Sequence, residues 1–309
     1  MPRWLWTALD YLFLLRPLLM PPVWTIGLLG FGQGQRAGGL PDGQAAVVAL
    51  GLFTLLTGGV YAQNQIYDVE GDRANRKLFL LAEGYIPVAS AARFAYGCFI
   101  VALAGAWGYA PWLGVLMSVA AFMGVAYNTP PLRWKDRPVA GFVYNVAVYG
   151  VIVFITGWGA AGRIGADALL QAVPYCLGVG AIYLNTTLPD IPGDRTTGKI
   201  TIGVKYGFRR TAVSACILLA AGVATGAWLR DAYIAVPSLA CLPFFIRMAR
   251  SGRVEDAALA TKLGVLALSL AAVAVWPAYL IVLIVLFYGA RPYYKHRFGM
   301  TYPSFRYQR

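Results

Sequence analysis

The chain has 309 residues, 59% of them hydrophobic and 13% charged, with a mean hydropathy of +0.61 and a formal net charge of +13. A soluble core of this length needs far fewer apolar residues, so a water-soluble globular domain is excluded and an all-α, polytopic membrane protein is expected. The basic excess reads as the positive-inside bias plus attraction to anionic membrane lipid, and no nucleic-acid module is visible among the apolar runs.

Residues 1–16 lack the basic start, short apolar core and small-residue cleavage site of a signal peptide, so the first helix is expected to stay in the mature chain. Apolar runs of about 18–25 residues then predict spans at 12–33, 45–67, 88–109, 111–127, 139–159, 167–188, 210–228, 232–246 and in the tract 257–289. Nine transmembrane helices in a single membrane domain, with a bundle over 12–290 and a basic tail over 291–309, is the simplest organisation. Loops near 73–77, 133–137, 195–210 and 247–262 carry 3, 3, 5 and 4 Lys or Arg, whereas those near 36, 163 and 230 carry one each. The richer loops, and with them the N-terminus, are therefore expected in the cytoplasm.

The last tract fits this scheme least well. Nine crossings from a cytoplasmic N-terminus would leave Arg291, Lys295, Arg297, Arg306 and Arg309 outside. As one helix the tract would be about 50 Å long, and Trp276-Pro277 is placed either to kink it or to turn it back. His296, the only histidine, is expected to be solvated, and Cys98, Cys176, Cys216 and Cys241 lie far apart in apolar stretches as small packing residues.

Two acidic clusters stand out: Asn64-Gln-Ile-Tyr-Asp68-Val-Glu70-Gly-Asp72 and Asp190-Ile-Pro-Gly-Asp194 hold five of the 13 Asp and Glu, each after a long apolar run. Carboxylates gathered at a membrane surface point to a divalent metal, and so to a phosphorylated substrate. Asn64, Asp68 and Asp72 recur every four residues, so a helix continuing through them places all three on one face, with Glu70 elsewhere. An amide oxygen with two carboxylates suits Mg²⁺. In the second cluster Pro189 and Pro192 break the helix, so Asp190 and Asp194 are expected to straddle a helix end or a short loop lining a water-filled cavity. Basic residues interleave with both clusters, an arrangement suited to a metal-chelated diphosphate.

Aromatic residues are abundant at 14%. Most of Tyr67, Tyr127, Tyr144, Tyr149 and Tyr183 belong first to the interfacial belt of any helical bundle. Tyr67 and Tyr183, within a turn or two of an acidic motif, are the strongest candidates to face a cavity.

These motifs, with Tyr127-Asn-Thr-Pro130-Pro131-Leu-Arg133-Trp-Lys135, Thr201-Ile-Gly203-Val-Lys205-Tyr-Gly207 and the Arg16-Pro17 pair of the first span, resemble the UbiA superfamily of intramembrane prenyltransferases. The resemblance covers about residues 12–290. It implies nine transmembrane helices around a central cavity with a cytoplasmic cap, and Mg²⁺-dependent transfer of an isoprenyl group from its diphosphate to an acceptor. By matched positions it implies one Mg²⁺ on Asn64, Asp68 and Asp72 and a second on Asp190 and Asp194, the four aspartates being catalytic. Arg73, Arg76, Lys77, Arg133 and Lys135 would contact diphosphate, and Tyr67, Tyr127 and Tyr183 would line the cavity.

The chain lacks the Arg-Pro element that many members carry after the first motif, reading instead Asn75-Arg76-Lys77-Leu78 and ending at Glu83-Gly84. That leans away from the chlorophyll and archaeal-lipid branches, toward an aromatic, quinone-precursor-like acceptor. An intramembrane terpene cyclase or a phosphoribosyl-type transferase would use the same acids. An ion-coupled transporter is the alternative from another class, although transporters place such acids near the midplane.

Overall fold

The computed structural model describes residues 2–40, 42–74 and 79–303, and among them there are helices and turns but no strands. Among the described residues eight helices are long and apolar enough to cross a membrane, or nine when the broken pair Arg3–Leu19 and Pro21–Arg36 counts as one span. The polytopic all-α expectation therefore holds.

The chain divides into two compact units. The first comprises Met1–Met20, Val48–Arg133 and Val282–Ser304, and the second Pro21–Val47, Trp134–Ile281 and Phe305–Arg309. In the first lie α1 (Arg3–Leu14), most of α3 (Gly43–Tyr67), α4 (Val69–Ala74), α5 (Phe79–Ala82), α6 (Val88–Tyr109) and α7 (Pro111–Asn128). In the second lie α2 (Pro21–Arg36), α8 (Pro138–Asn145), α9 (Val153–Ala161), α10 (Ala166–Thr186), α11 (Ile191–Thr196), α12 (Ile202–Trp228), α13 (Ala232–Ser251) and α14 (Val254–Val275). The final helix, α15 (Ala278–Phe298), starts in the second unit and ends in the first.

Local signals set the helix ends. Proline opens α7 and α8 at the first helical position, where its missing N–H is not needed. Asp231 caps α13 by accepting the Tyr233 N–H at 2.9 Å, and Gly252, at φ 67, ends it. In the second unit α2 packs backbone-close on α9: a Cβ on Gly157 would overlap the Gly27 carbonyl, and one on Gly30 the Phe154 carbonyl. Small residues are what allow such an approach inside a bilayer, where close van der Waals packing drives association. Between α8 and α9 the chain forms a π-helical segment, Val146–Ile152. Its i→i+5 closure brings Tyr144 and Tyr149, five residues apart, onto one side with rings edge-on at 6.0 Å.

The predicted span 257–289 is two helices. Trp276 leaves the helical region ahead of Pro277, as residues preceding proline do. In the first unit α15 then runs antiparallel to α1: Tyr293 stacks on Phe13 at 3.8 Å, and further along Arg297 pairs with Asp10. The end of α15 therefore lies beside α1, whereas nine simple crossings would leave it on the side opposite the N-terminus. The physical reason is the helix break at Trp276-Pro277, the turning-back that the sequence left open.

Candidate active site

The first acidic motif crosses from α3 into α4 with its backbone repeat intact. Asp68 N–H bonds the Asn64 carbonyl at 3.1 Å, and Asp72 N–H bonds the Asp68 carbonyl at 2.8 Å. A single turn residue, Asp68, separates the two helices without disturbing the four-residue register that puts the three side chains on one face. Asn64 donates its amide to Asn128 Oδ1 at 2.9 Å, which leaves its own Oδ1 for a cation. Asn128, fully buried at the end of α7, is held in turn by donating to the Val60 carbonyl at 3.1 Å and to Gln63 Oε1 at 3.4 Å. Buried partners of this kind fix the rotamer of the side chain they hold.

Two arginines flank this face, both with backbones in the left-handed region that non-glycine residues rarely adopt. Arg133, at φ 35, sets its guanidinium 3.6 Å from the Asp68 carboxylate. Arg16, at φ 53, sits in the break between α1 and Pro17. The Arg16 guanidinium lies within electrostatic reach of Asp72 and Asp68. The Arg16 Nε is buried with no hydrogen-bond partner among the described residues. Strain of this kind costs about 1–3 kcal/mol per residue, and the unbonded buried Nε of Arg16 about 1–3 kcal/mol more. Sequence reasoning assigns Arg16 no role beyond its familiar Arg-Pro pairing. The available signal is a cation inside an apolar run.

Arg73 is turned to a bracing use, its Nε donating to the Ala82 carbonyl at 2.9 Å and tying α4 to α5. Arg76 and Lys77 lie outside the described residues. Tyr67 and Tyr127 are half-buried near the ends of α3 and α7.

The second motif, in the second unit, is built differently. After α10 the chain turns at 187–190, so that Asp190 precedes α11 as its N-cap residue and Asp194 lies within it. Pro192 falls in the first turn of α11, where proline is tolerated, and Asp194 N–H bonds the Asp190 carbonyl at 2.8 Å. The pair straddles a helix end as expected, with the four-residue spacing preserved. Asp190 is exposed, while Asp194 accepts from the Thr201 hydroxyl at 3.0 Å. Gly203 lets the start of α12 approach this turn, since a Cβ there would lie 2.8 Å from the Thr187 carbonyl. Lys135 is buried in the short 3₁₀ turn Trp134–Asp136, and Tyr183 packs edge-on to Phe142 at 6.1 Å. Asn185, one turn before Asp190, is fully buried with both amide atoms unpartnered among the described residues, a feature its position in an apolar run did not announce.

The donor set fits Mg²⁺ in kind: every candidate ligand is an oxygen, and Asn64 keeps one available. Among the described residues no three His, Cys, Asp or Glu side chains cluster as a ready-made cage. Each motif instead offers two carboxylates on adjacent turns, the partial shell expected of an ion that completes its coordination with water and substrate phosphate.

Comparison with known proteins accounts for this layout. Residues 23–262 match the UbiA prenyltransferase family. Homogentisate phytyltransferase of Synechocystis is 28% identical over 252 residues, covering 76% of this chain and 81% of that protein. Digeranylgeranylglyceryl phosphate synthase of Halobacterium salinarum is 32% identical over 211 residues, covering 67% and 75%. A UbiA homologue from Archaeoglobus fulgidus, solved bound to GPP and Mg²⁺, superposes with a TM-score of 0.65 at 22% identity over 86% of this chain and 99% of that one, a likeness of fold. With most of its length matched, its bundle shared and both acidic motifs in order, the chain belongs to the UbiA prenyltransferase family and is a membrane prenyltransferase of that type.

Proposed function

We propose that the protein transfers an isoprenyl group from an isoprenyl diphosphate to an aromatic, quinone-precursor-like acceptor in a Mg²⁺-dependent reaction within the membrane. The observation that carries this reading is the unbroken ladder through Asn64, Asp68 and Asp72, flanked by two strained arginines, one with an unbonded Nε. Asn64, Asp68 and Asp72 hold one Mg²⁺, and Asp190 and Asp194 a second. Mg²⁺ supplies charge neutralisation on the departing diphosphate.

The chain's own part is electrostatic. The bond between prenyl C1 and the diphosphate oxygen breaks with both electrons going to oxygen, and Arg16, Arg133 and Lys135 stabilise that growing charge more in the transition state than in the ground state. Arg76 and Lys77 are further candidates for the same contact. The acceptor carbon then bonds to C1 and loses its proton to a cavity carboxylate or tyrosine. Tyr67, Tyr127 and Tyr183 are the candidate cavity residues, since aromatic walls attract an allylic cation and exclude water. The aromatic acceptor is supported by the missing Arg-Pro element and by the kinship with homogentisate phytyltransferase, and the archaeal relative makes a glyceryl phosphate acceptor the alternative. The distribution of Lys and Arg supports placing both motifs at the cytoplasmic face.

The test is diphosphate release by purified protein in detergent, with C10 to C20 isoprenyl diphosphates, with and without Mg²⁺, against aromatic and glyceryl phosphate acceptors. Mg²⁺-dependent release coupled to a prenylated aromatic product is expected. Release that yields a cyclised hydrocarbon without acceptor, or folded protein inert under every condition, overturns the reading.

A further inference from the structure

The helix that carries the first motif has a second face. Ala62, Ile66, Val69 and Arg73 recur at steps of four, three and four residues, so they form a stripe on the side of α3 and α4 away from Asn64, Asp68 and Asp72. The apolar members of that stripe pack in one cluster with Phe13 of α1 and with Ala290 and Tyr293 of α15, and Ala62, fully buried, is small enough for close approach. Arg73 continues the stripe and ties it to α5 by donating to the Ala82 carbonyl at 2.9 Å. At six and four residues α4 and α5 are too short to be stable alone. Where Asp72 stands therefore depends on what these helices pack against.

That backing is fixed by a buried ion pair. Asp10 of α1, 2% exposed, accepts from Arg297 twice, Nε to Oδ1 at 3.1 Å and Nη2 to Oδ2 at 2.7 Å, and from the Tyr293 hydroxyl at 2.8 Å. Planar, two-armed pairing fixes orientation as well as distance. The same guanidinium lies over the ring of Tyr85, 4.1 Å from its centroid, and that ring meets Phe298 edge-on at 5.4 Å. Tyr85 follows Gly84, whose φ of 76 turns the chain after α5, and Ile86 closes the turn by bonding its N–H to the Leu80 carbonyl at 3.0 Å. Leu80, Leu81 and Ile86 pack in the same cluster as Tyr293. One clamp thus grips α1 and α15 behind α3 and α4, and also the turn after the helix that receives Arg73.

We propose that Asp10, Arg297 and Tyr85 are positioning residues for the donor site: clamped together, they fix the backing of α3 and α4, and so the geometry in which Asn64, Asp68 and Asp72 meet a Mg²⁺-bound diphosphate. The inference rests on the reading of the first motif as a Mg²⁺–diphosphate site. It gives a role to a helix beyond the family match, which ends at residue 262. It also explains why a buried ion pair, costly to desolvate, is kept at this seam. Apolar packing alone would let α15 slide along α1, whereas the two-armed pair sets its register.

The experiment measures equilibrium binding of geranyl diphosphate to the full-length protein in detergent across a Mg²⁺ titration, with amide exchange over 66–73 and the melting temperature read on the same samples. Tyr85→Ala changes a residue that is 37% exposed, and Asp10→Leu combined with Arg297→Leu leaves no buried charge unpaired. In both, the Mg²⁺ concentration for half-maximal binding is expected to rise about tenfold, with faster exchange at the Asp72 amide. Arg297→Lys keeps the charge without the fork and falls between these and wild type. Tyr175→Phe, which removes a 2.7 Å bond to Asp231 in the second unit, is the control for lost stability and leaves the Mg²⁺ titration unchanged. A folded Tyr85→Ala with wild-type Mg²⁺ dependence overturns the inference, and so does a shift of equal size in Tyr175→Phe. If the double variant fails to fold, Tyr85→Ala decides alone. Wild-type protein that binds no geranyl diphosphate at any Mg²⁺ concentration sinks the reading of the first motif and this inference with it, whereas wild type that binds, with Tyr85→Ala binding identically, sinks the inference alone.

Discussion

The two acidic motifs share a spacing and differ in how the fold supports it. The first is carried from α3 into α4 with its backbone ladder kept, its Asn64 oriented by a buried Asn128 and its Asp68 faced by Arg133. The second begins anew after a turn, with Asp190 exposed at the start of a six-residue helix and Asp194 steadied by the Thr201 hydroxyl. One set of ligands is held by a buried network. The other is carried by the short helix α11 and the turn before it. On the metal reading proposed above, the first motif would bind with its geometry fixed beforehand, while the second would close around an ion that arrives with substrate.

This contrast can be broken by experiment, beginning with the largest effect. Asp68→Asn is expected to lower kcat by about a thousandfold, as loss of preorganised transition-state stabilisation does, with the melting temperature little changed. Turnover near wild type in that variant would remove the first motif from the chemistry. Asp190→Asn is expected to lose about a hundredfold and to recover in part when Mg²⁺ is raised, while Asp68→Asn does not recover. Equal responses of the two variants to Mg²⁺ would erase the distinction between rigid and adaptable motifs.

Smaller effects sharpen the same comparison. Asn128→Leu keeps the number of side-chain heavy atoms but frees the Asn64 amide, and should raise the Mg²⁺ concentration for half-maximal activity about tenfold. An unchanged Mg²⁺ titration would show that Asn64 needs no support. Thr201→Val removes one hydrogen bond, worth about 0.5–1.5 kcal/mol, from a partly exposed carboxylate, and only a few-fold loss of activity is expected. A loss larger than that of Asn128→Leu would mean that the second motif is the more rigidly held of the two.

Much of this was legible in the amino-acid order because the signals are local. The predicted spans 88–109 and 111–127 coincide with α6 and α7 to within a residue, and their ends carry Pro87 and Pro111. The helix through Asn64, Asp68 and Asp72 followed from their spacing, and the break before Asp190 from its neighbouring prolines. Other features were not legible. Ahead of the predicted start at 210, the chain from Ile202 forms a short helical stretch that Gly207, at φ 77 and ψ 167, breaks from the long helix following it. The span 139–159 contains a π-helical segment, for which apolar periodicity carries no mark.

By itself, the order of residues determined a polytopic helical membrane protein with two oxygen-rich motifs beside basic loops, since hydropathy and four-residue spacing are properties of short windows. Tertiary structure alone decided that Asn128, 64 residues after Asn64, would orient it. It also decided that α15 would return to α1 and bring Arg297 to Asp10, 287 residues earlier. These are pairings of buried polar groups across long loops. Their partners are chosen by which groups lose water together when the helices pack, and no local pattern records that choice.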